Sequence, residues 1–336
     1  MILSKVSRCA CSAALAAAML AGCRGPQQAG SIPAVGGGAS QNVRTALPIP
    51  GQSWIDQSAK TEDLFYVADP NNGFIRVYSL LRHKLVGLLY QTNEPNGVCV
   101  DKAGDVFVPG FNGGSIYEYG HGLKRPKAKL IPAALQSMSC SVDPSTGNLA
   151  VTTFEGSSGN AGNVAVYQQA LGTPAIYSDP AIFEYFFCGY DTNGNLFVDG
   201  LAPSSAGGGF VFAELPKGST TFTNITLNQA ISKPGQVQWD GKHIAIGDQT
   251  TTNIYRFAIS GSAGTLQGTT ALTGATTVND FWIHGTNVLV ANAYSVSSVA
   301  YADVLFYRYP AGGTIRFVTA NGKYAIAGLG VSLYIR

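Results

Sequence analysis

The sequence predicts an all-β fold, a six-bladed β-propeller of four-stranded antiparallel blades, and three observations carry that expectation. First, Asp56, Asp101, Asp143, Asp191, Asp240 and His284 each close an apolar run, at successive separations of 45, 42, 48, 49 and 44 residues. A fixed period of that size marks a repeat architecture, and an apolar run, a turn and a second apolar run make a hairpin. Second, each unit carries a third run and most a weaker fourth, with no helical periodicity between units. Third, the 336 residues are rich in Gly, Thr, Ser, Tyr and Phe, and only 12 % are charged. That is the composition of short strands and turns, not of long surface helices. A single four-stranded sheet cannot bury both faces, so such units must stack around an axis and close. Seven blades is the alternative, because Lys323 to Arg336 could begin another unit.

The chain begins with a segment that does not belong to the fold. Lys5 and Arg8 supply a positive start, and Cys9 to Met19 is apolar but too short to span a bilayer as a stable helix. It ends in Leu20-Ala21-Gly22-Cys23, which resembles the bacterial lipobox. The resemblance implies removal of residues 1–22 as a lipoprotein signal peptide and lipidation of Cys23; an ordinary secretory signal is the other reading. Arg24, where an Asp would favour inner-membrane retention, points to the periplasmic face of the outer membrane or the cell surface. Residues 23–50 are Gly, Pro, Ala, Ser and Gln with almost no aromatics, a composition that behaves as a flexible tether. The propeller domain is expected over 51–336.

Within that domain the third runs are FIRVYSL, SIYEYG, NVAVYQQ, GFVFAEL, NIYRFAI and DVLFYRY. Fourth runs include KLVGLL, AKLIP, PAIYS, FTNITL and TIRFV. Trp54, Trp239 and Trp282 are expected on first strands, as packing between blades. Closure of the ring is expected to use Gly328 to Arg336, or the strand before Pro50. The formal net charge of +2 creates no field that would imply nucleic acid. The one basic run, Lys124, Arg125, Lys127 and Lys129, reads as a solvated edge strand.

Three stretches, PNGVCVDKAGDVFV, DLFYVADPNNGFIRVYSL and GYDTNGNLFVDG, resemble NHL-type propeller repeats. The resemblance covers residues 52 to 320 and implies the fold; propellers host many unrelated activities. A more distant similarity is to gluconolactonase-like propellers, which hold a divalent metal near the axis. Asn96 in Pro95-Asn96-Gly97 matches one of their metal-binding Asn positions, whereas Gly51-Gln52-Ser53-Trp54 stands where their early Glu would be.

Residues at the ends of second strands ring the channel mouth, where ligands are commonly held. In that register lie Asp69, Gly110, Thr153, Gly200, Asp248 and Asn292, with Asn112 and Asp199 beside it. Together with Asn96 these oxygen-bearing side chains could bind a ligand, or a hard cation such as Ca²⁺. The competing reading is that each Asp or Asn bonds to the backbone of its own loop. The anchor residues Asp101, Asp143, Asp191 and Asp240 read as turn formers at the opposite face.

His83, His121, His243 and His284 are scattered, with no metal-ligand spacing, and no nucleophile elbow or phosphate loop occurs. Cys140 and Cys188 each lie three residues before their anchors and point the same way along their strands. Cys99, two before its anchor, points the opposite way and could form a disulfide with Cys140, as suits an oxidising envelope. Three small apolar core thiols are the alternative. These features together describe a monomeric, lipid-anchored binding or scaffold protein of the cell envelope. Its expected partners are the membrane, through Cys23, and an unknown protein, small-molecule or glycan ligand. The alternative is a metal-dependent, gluconolactonase-like hydrolase or lyase using the same mouth.

Overall fold

A computed structural model describes residues 52–335 apart from 92, 114, 133–134 and 156–158. The targeting segment, Cys23 and the tether lie outside the described residues. No α-helix occurs among the described residues; four-stranded antiparallel sheets in a propeller-like arrangement make up the domain. One sheet runs outward as Cys99–Val100, Val106–Val108, Ile116–Tyr119 and Pro126–Leu130. A second runs as Ser137–Val142, Leu149–Glu155, Ala161–Tyr167 and Ala175–Tyr177. A third runs as Glu184–Tyr190, Leu196–Leu201, Phe210–Leu215 and Thr223–Asn224. In each the chain meanders strand by strand, because loops of a few residues can only join antiparallel neighbours.

Two sheets depart from the four-stranded expectation. The first contains Trp54–Ile55, Leu85–Tyr90, Phe74–Ser79, Leu64–Asp69 and, at its inner edge, Gly328–Ser332. Trp54 and Asp56 therefore do not sit on a first strand and its hairpin. Trp54–Ile55 pairs with Leu88 and Gly87 on the outer edge, and Asp56 caps a 3-10 turn over Gln57–Thr61 by accepting from the Ser58 N–H at 3.0 Å. The inner place is taken by the C-terminal strand, in antiparallel register from Leu64↔Ser332 to Ala68↔Gly328. Gly328 onward thus completes this sheet and does not begin another.

The second departure is a nine-stranded sheet. It contains the meander Pro234–Trp239, Ile244–Asp248, Asn253–Ser260, Ala263–Thr273 and the meander Val278–His284, Asn287–Val296, Val299–Arg308, Gly312–Gly322. Their outermost strands are eleven residues each, long enough to meet in parallel at Leu272↔Gly313 and Thr273↔Thr314. The stretch FTNITL also splits: Thr223–Asn224 stays with its own sheet, and Thr226–Leu227 pairs in parallel with Ala263 and Gly264.

The core lies between sheets. Every residue of Leu64–Asp69 is buried, and its alternate side chains serve two neighbours. Phe65 and Val67 pack with Leu329, Val331, Leu289, Val304 and Phe306, whereas Leu64, Tyr66 and Ala68 pack with Val98, Val106 and Val108. Burial of one such large apolar side chain contributes about 1.5–3 kcal/mol. A strand covered on both faces therefore reads as a continuous apolar run, as LFYVA does.

The anchor aspartates form turns. Asp101 Oδ1 accepts from the Ala103 and Asp105 amides at 2.9 and 2.8 Å, and Asp191 Oδ1 from Asn193 and Asn195 at 2.8 and 2.9 Å. Asp143 and Asp240 do the same in their own hairpins. In the Asp191 turn Gly194 has φ +86°, left-handed backbone that a side chain would strain.

Candidate functional site

Each residue predicted at the channel mouth has a defined setting. Asp69 is fully buried and accepts from the Arg76 guanidinium at 2.7 Å and from Asn72 Nδ2 at 3.0 Å. Arg76 in turn lies over the Tyr324 ring, 4.2 Å from its centre. Asp248 accepts from the Ser232 and Thr250 amides, both at 2.9 Å. Asn292 accepts from the Thr276 and Thr277 amides at 2.7 and 3.1 Å and donates to Asp303 at 2.9 Å. Asn96 is half-buried and donates to the Met138 carbonyl of the neighbouring sheet at 3.2 Å. Asn112 is exposed in the turn 111–113.

Asp199 has a distinct role, set by a β-bulge. Tyr185 pairs with Gly200 and Cys188 with Val198, so Phe186 and Phe187 together oppose Asp199. A bulge leaves an amide without its ladder partner. The Asp199 carboxylate accepts that amide, Phe187 N–H, at 2.8 Å, and also the Gly235 N–H of the next meander at 3.2 Å. Burial pushes the Asp199 carboxyl well above its ordinary value, against the pull of those two bonds. Thr152 occupies the equivalent place one sheet earlier. It accepts from Ser139 N–H at 3.0 Å and donates to the Phe186 carbonyl of the next sheet at 2.7 Å. These side chains join neighbouring sheets by hydrogen bonds in a low-dielectric setting.

Asp280 belongs to the same class, and the sequence reading passed over it. It is 2 % exposed, on the first strand of its meander, and its Oδ2 accepts from the Leu329 amide of the closing strand at 2.9 Å. Its Oδ1 has no hydrogen-bond partner among the described residues. Burial raises its carboxyl to about 8. The signal was present as one acidic residue inside the run VNDFWIH, where both faces of the strand are covered.

Among the described residues no group of three or more His, Cys, Asp or Glu is placed to hold a metal ion. His121 lies at the closing seam, with Nδ1 2.7 Å from Ser332 Oγ and Nε2 3.0 Å from the Glu62 carbonyl. His83 lies against the rings of Phe306 and Phe317, at 4.7 and 4.9 Å.

The inner strands place all three cysteines of the domain along the channel. Cys99 and Cys140 form a disulfide joining neighbouring sheets, with Cα atoms 5.6 Å apart. Cys188 is a free, buried thiol, and burial pushes its ionisation upward. A cavity of about 200 Å³ opens in this half of the channel, towards the anchor turns and away from the predicted mouth. The disulfide, Cys188, Ser141, Gln236, Gln238 and the aromatic rings of Tyr190, Trp239 and Trp282 line it. Gln238 is fixed by a reciprocal pair of hydrogen bonds to the Ile283 backbone. On the outer rim, a second cavity of about 600 Å³ lies between 129–132 and 172–176, where Ile131 is 79 % and Ile176 51 % exposed.

No family model matches the chain, and no curated protein matches it. Solved structures do. A chain from the crystal structure of a nidogen/laminin complex aligns with a TM-score of 0.64 at 11 % identity, covering 82 % of this chain and 99 % of that one. A protein of unknown function from Bacteroides caccae aligns with a TM-score of 0.60 at 11 % identity, covering 81 % of this chain and 99 % of that one. These likenesses establish the propeller fold, and at such identity they establish the fold alone.

Proposed function

We propose that the protein is a lipid-anchored, extracytoplasmic six-bladed propeller with NHL-type blades, acting as a binding or scaffold module of the bacterial cell envelope. The observation that carries the binding reading is the state of the mouth. Asp69, Asp199, Asp248 and Asn292 are buried and engaged by donors from the protein itself, so they fix the rim loops in place and leave the exposed loop residues to meet a partner. A ligand or partner meeting Asn112 and the surrounding loops would find them already fixed. The nidogen/laminin neighbour supplies a precedent for a propeller found in a protein complex.

The count of six treats the two meanders of the nine-stranded sheet as separate blades. Two residue pairs join them at the rim, and a hydrophobic cluster including Ile254, Phe281 and Val288 packs between their faces. The extracytoplasmic placement is supported by the Cys99–Cys140 pairing, which persists in oxidising compartments, and by Leu20-Ala21-Gly22-Cys23. Lipid on Cys23 would anchor the chain, and Arg24 after it favours the outer membrane or the cell surface.

Two measurements test this. Mass spectrometry of protein extracted from bacterial membranes should find residues 1–22 removed and acyl chains on Cys23, with Cys23→Ala released from the membrane fraction. An unmodified Cys23 ends the anchored reading. Thermal melts with Ca²⁺, Mg²⁺, Mn²⁺ or Zn²⁺, with and without chelator, separate the binding module from the metal-dependent hydrolase or lyase. A cation at about a hundred times its Kd stabilises by about 2.7 kcal/mol, so no melting shift with any of the four would end the enzyme reading.

A further inference from the structure

We propose that the anchor-side cavity of the channel is a binding site for a single uncharged sugar ring, such as the terminal hexose of a glycan. This site is separate from the mouth, and it stands or falls independently of the lipid anchor.

The first argument is size. The cavity holds about 200 Å³, the space of roughly six or seven waters, which suits one ring and excludes a larger ligand. The second is charge: none of its described lining residues carries a formal charge. A charged ligand would lose its hydration there with no opposite charge to replace it.

The third is the lining chemistry. Gln236 is 5 % exposed and lines the cavity, yet its Oε1 has no hydrogen-bond partner among the described residues, nor has Trp239 Nε1. A buried acceptor and a buried donor in one wall each carry a desolvation cost of about 1–3 kcal/mol while unpaired. The local backbone places Gln236 at this point of the channel. It sits in the bulge between Pro234↔Asp248 and Val237↔Ile246, opposite Gly247. In the matching bulges Thr152 and Asp199 accept the Ser139 and Phe187 amides, whereas Gly247 has no side chain there and leaves the space beside Gln236 open. A purely apolar ring would leave both groups unpaired. A sugar brings hydroxyls that donate and accept, with an apolar C–H face to lie on the aromatic rings of Trp239, Trp282 or Tyr190. Both atoms are covered in the structure, so a sugar pairs with them only if the Gln236 amide and the Trp239 ring turn on binding.

The test titrates the full-length protein with glucose, galactose, mannose and N-acetylglucosamine, with glucuronate as the charged control, and follows intrinsic tryptophan fluorescence. Saturable change is expected with at least one neutral sugar and not with glucuronate. Trp54 lies on the outer strand of another sheet, so Trp54→Phe should keep the response and Trp282→Phe should reduce it. Gln236→Leu should weaken binding about tenfold, the size of one lost hydrogen bond. Melting curves identify any variant that fails to fold, and for such a variant isothermal calorimetry on the wild-type protein decides. No saturable response to any neutral sugar, a preference for glucuronate or for an apolar ring such as indole, or unchanged affinity in folded Gln236→Leu would overturn the assignment.

Discussion

Asp280→Asn should make the protein more stable at pH 8 and change little at pH 4. The Asp280 carboxyl is 2 % exposed, bonds through one oxygen to the Leu329 amide, and is raised by burial to about 8. In the unfolded chain it titrates at the ordinary 3.8. Between those values the folded state holds a proton that the unfolded state has lost. Stability is therefore fully present below pH 4, falls as pH rises towards 8, and levels off above it. Asparagine mimics the protonated acid, since its amide oxygen can still accept from Leu329. The gap of about four pKa units sets a ceiling of about 5 kcal/mol at pH 8. Relaxation around a buried carboxylate recovers much of such a penalty, leaving about 2 kcal/mol as the effect to seek. For a domain of this size that is a rise of about 3–4 °C in Tm. Asp199, also raised by burial, stays in both proteins and cancels in the difference. The assay is Tm against pH from 4 to 9 for both proteins; parallel curves would refute the reasoning.

The Cys99–Cys140 loop spans 41 residues, and its closure should contribute about 4 kcal/mol on the chain-entropy account. The Cys99→Ala, Cys140→Ala double variant should lose about 2–4 kcal/mol in urea unfolding. In peptide maps of denatured, unreduced protein, Cys188 should be alkylated and the Cys99 and Cys140 peptides joined; separate alkylated peptides would remove the bridge. Gly328→Ala should lose about 2 kcal/mol or more, as overpacking does, because its Cβ would stand 2.2 Å from the Asn96 carbonyl oxygen. An unchanged urea midpoint would mean that the seam yields more easily than its packing suggests.

Much of the architecture was legible because repetition is a strong signal. The aspartates of the anchor turns, the third strands and the closing strand at Gly328 lie where period and turn chemistry put them. Trp54 and Asp56 misled because SWID carries the same short pattern as a true first strand. Only the pairing Leu64↔Ser332, across most of the chain, decides which segment holds the inner place. Register aligned Asp69, Asp248 and Asn292 at the ends of second strands, but register says nothing about hydrogen bonds. Asp199 and Thr152 differ from Asp69 because bulges shift the ladder by one residue, and no sequence pattern announces those bulges. The anchor-side cavity was hidden for the same reason, since no sequence pattern announces the bulge that sets Gln236 opposite Gly247.

The closing strand also governs how the protein must be made. Leu64–Asp69 is synthesised long before Gly328–Ser332, so its inner edge waits for that strand. Throughout that interval an apolar six-residue edge, LFYVAD, offers unpaired amides and carbonyls to any passing chain, the condition that invites aggregation. A nascent chain thus stays open and unlocked until Gly328–Ser332 has been made. Products cut short before Gly328 should be cleared as insoluble fragments, and none should persist as a smaller working ring.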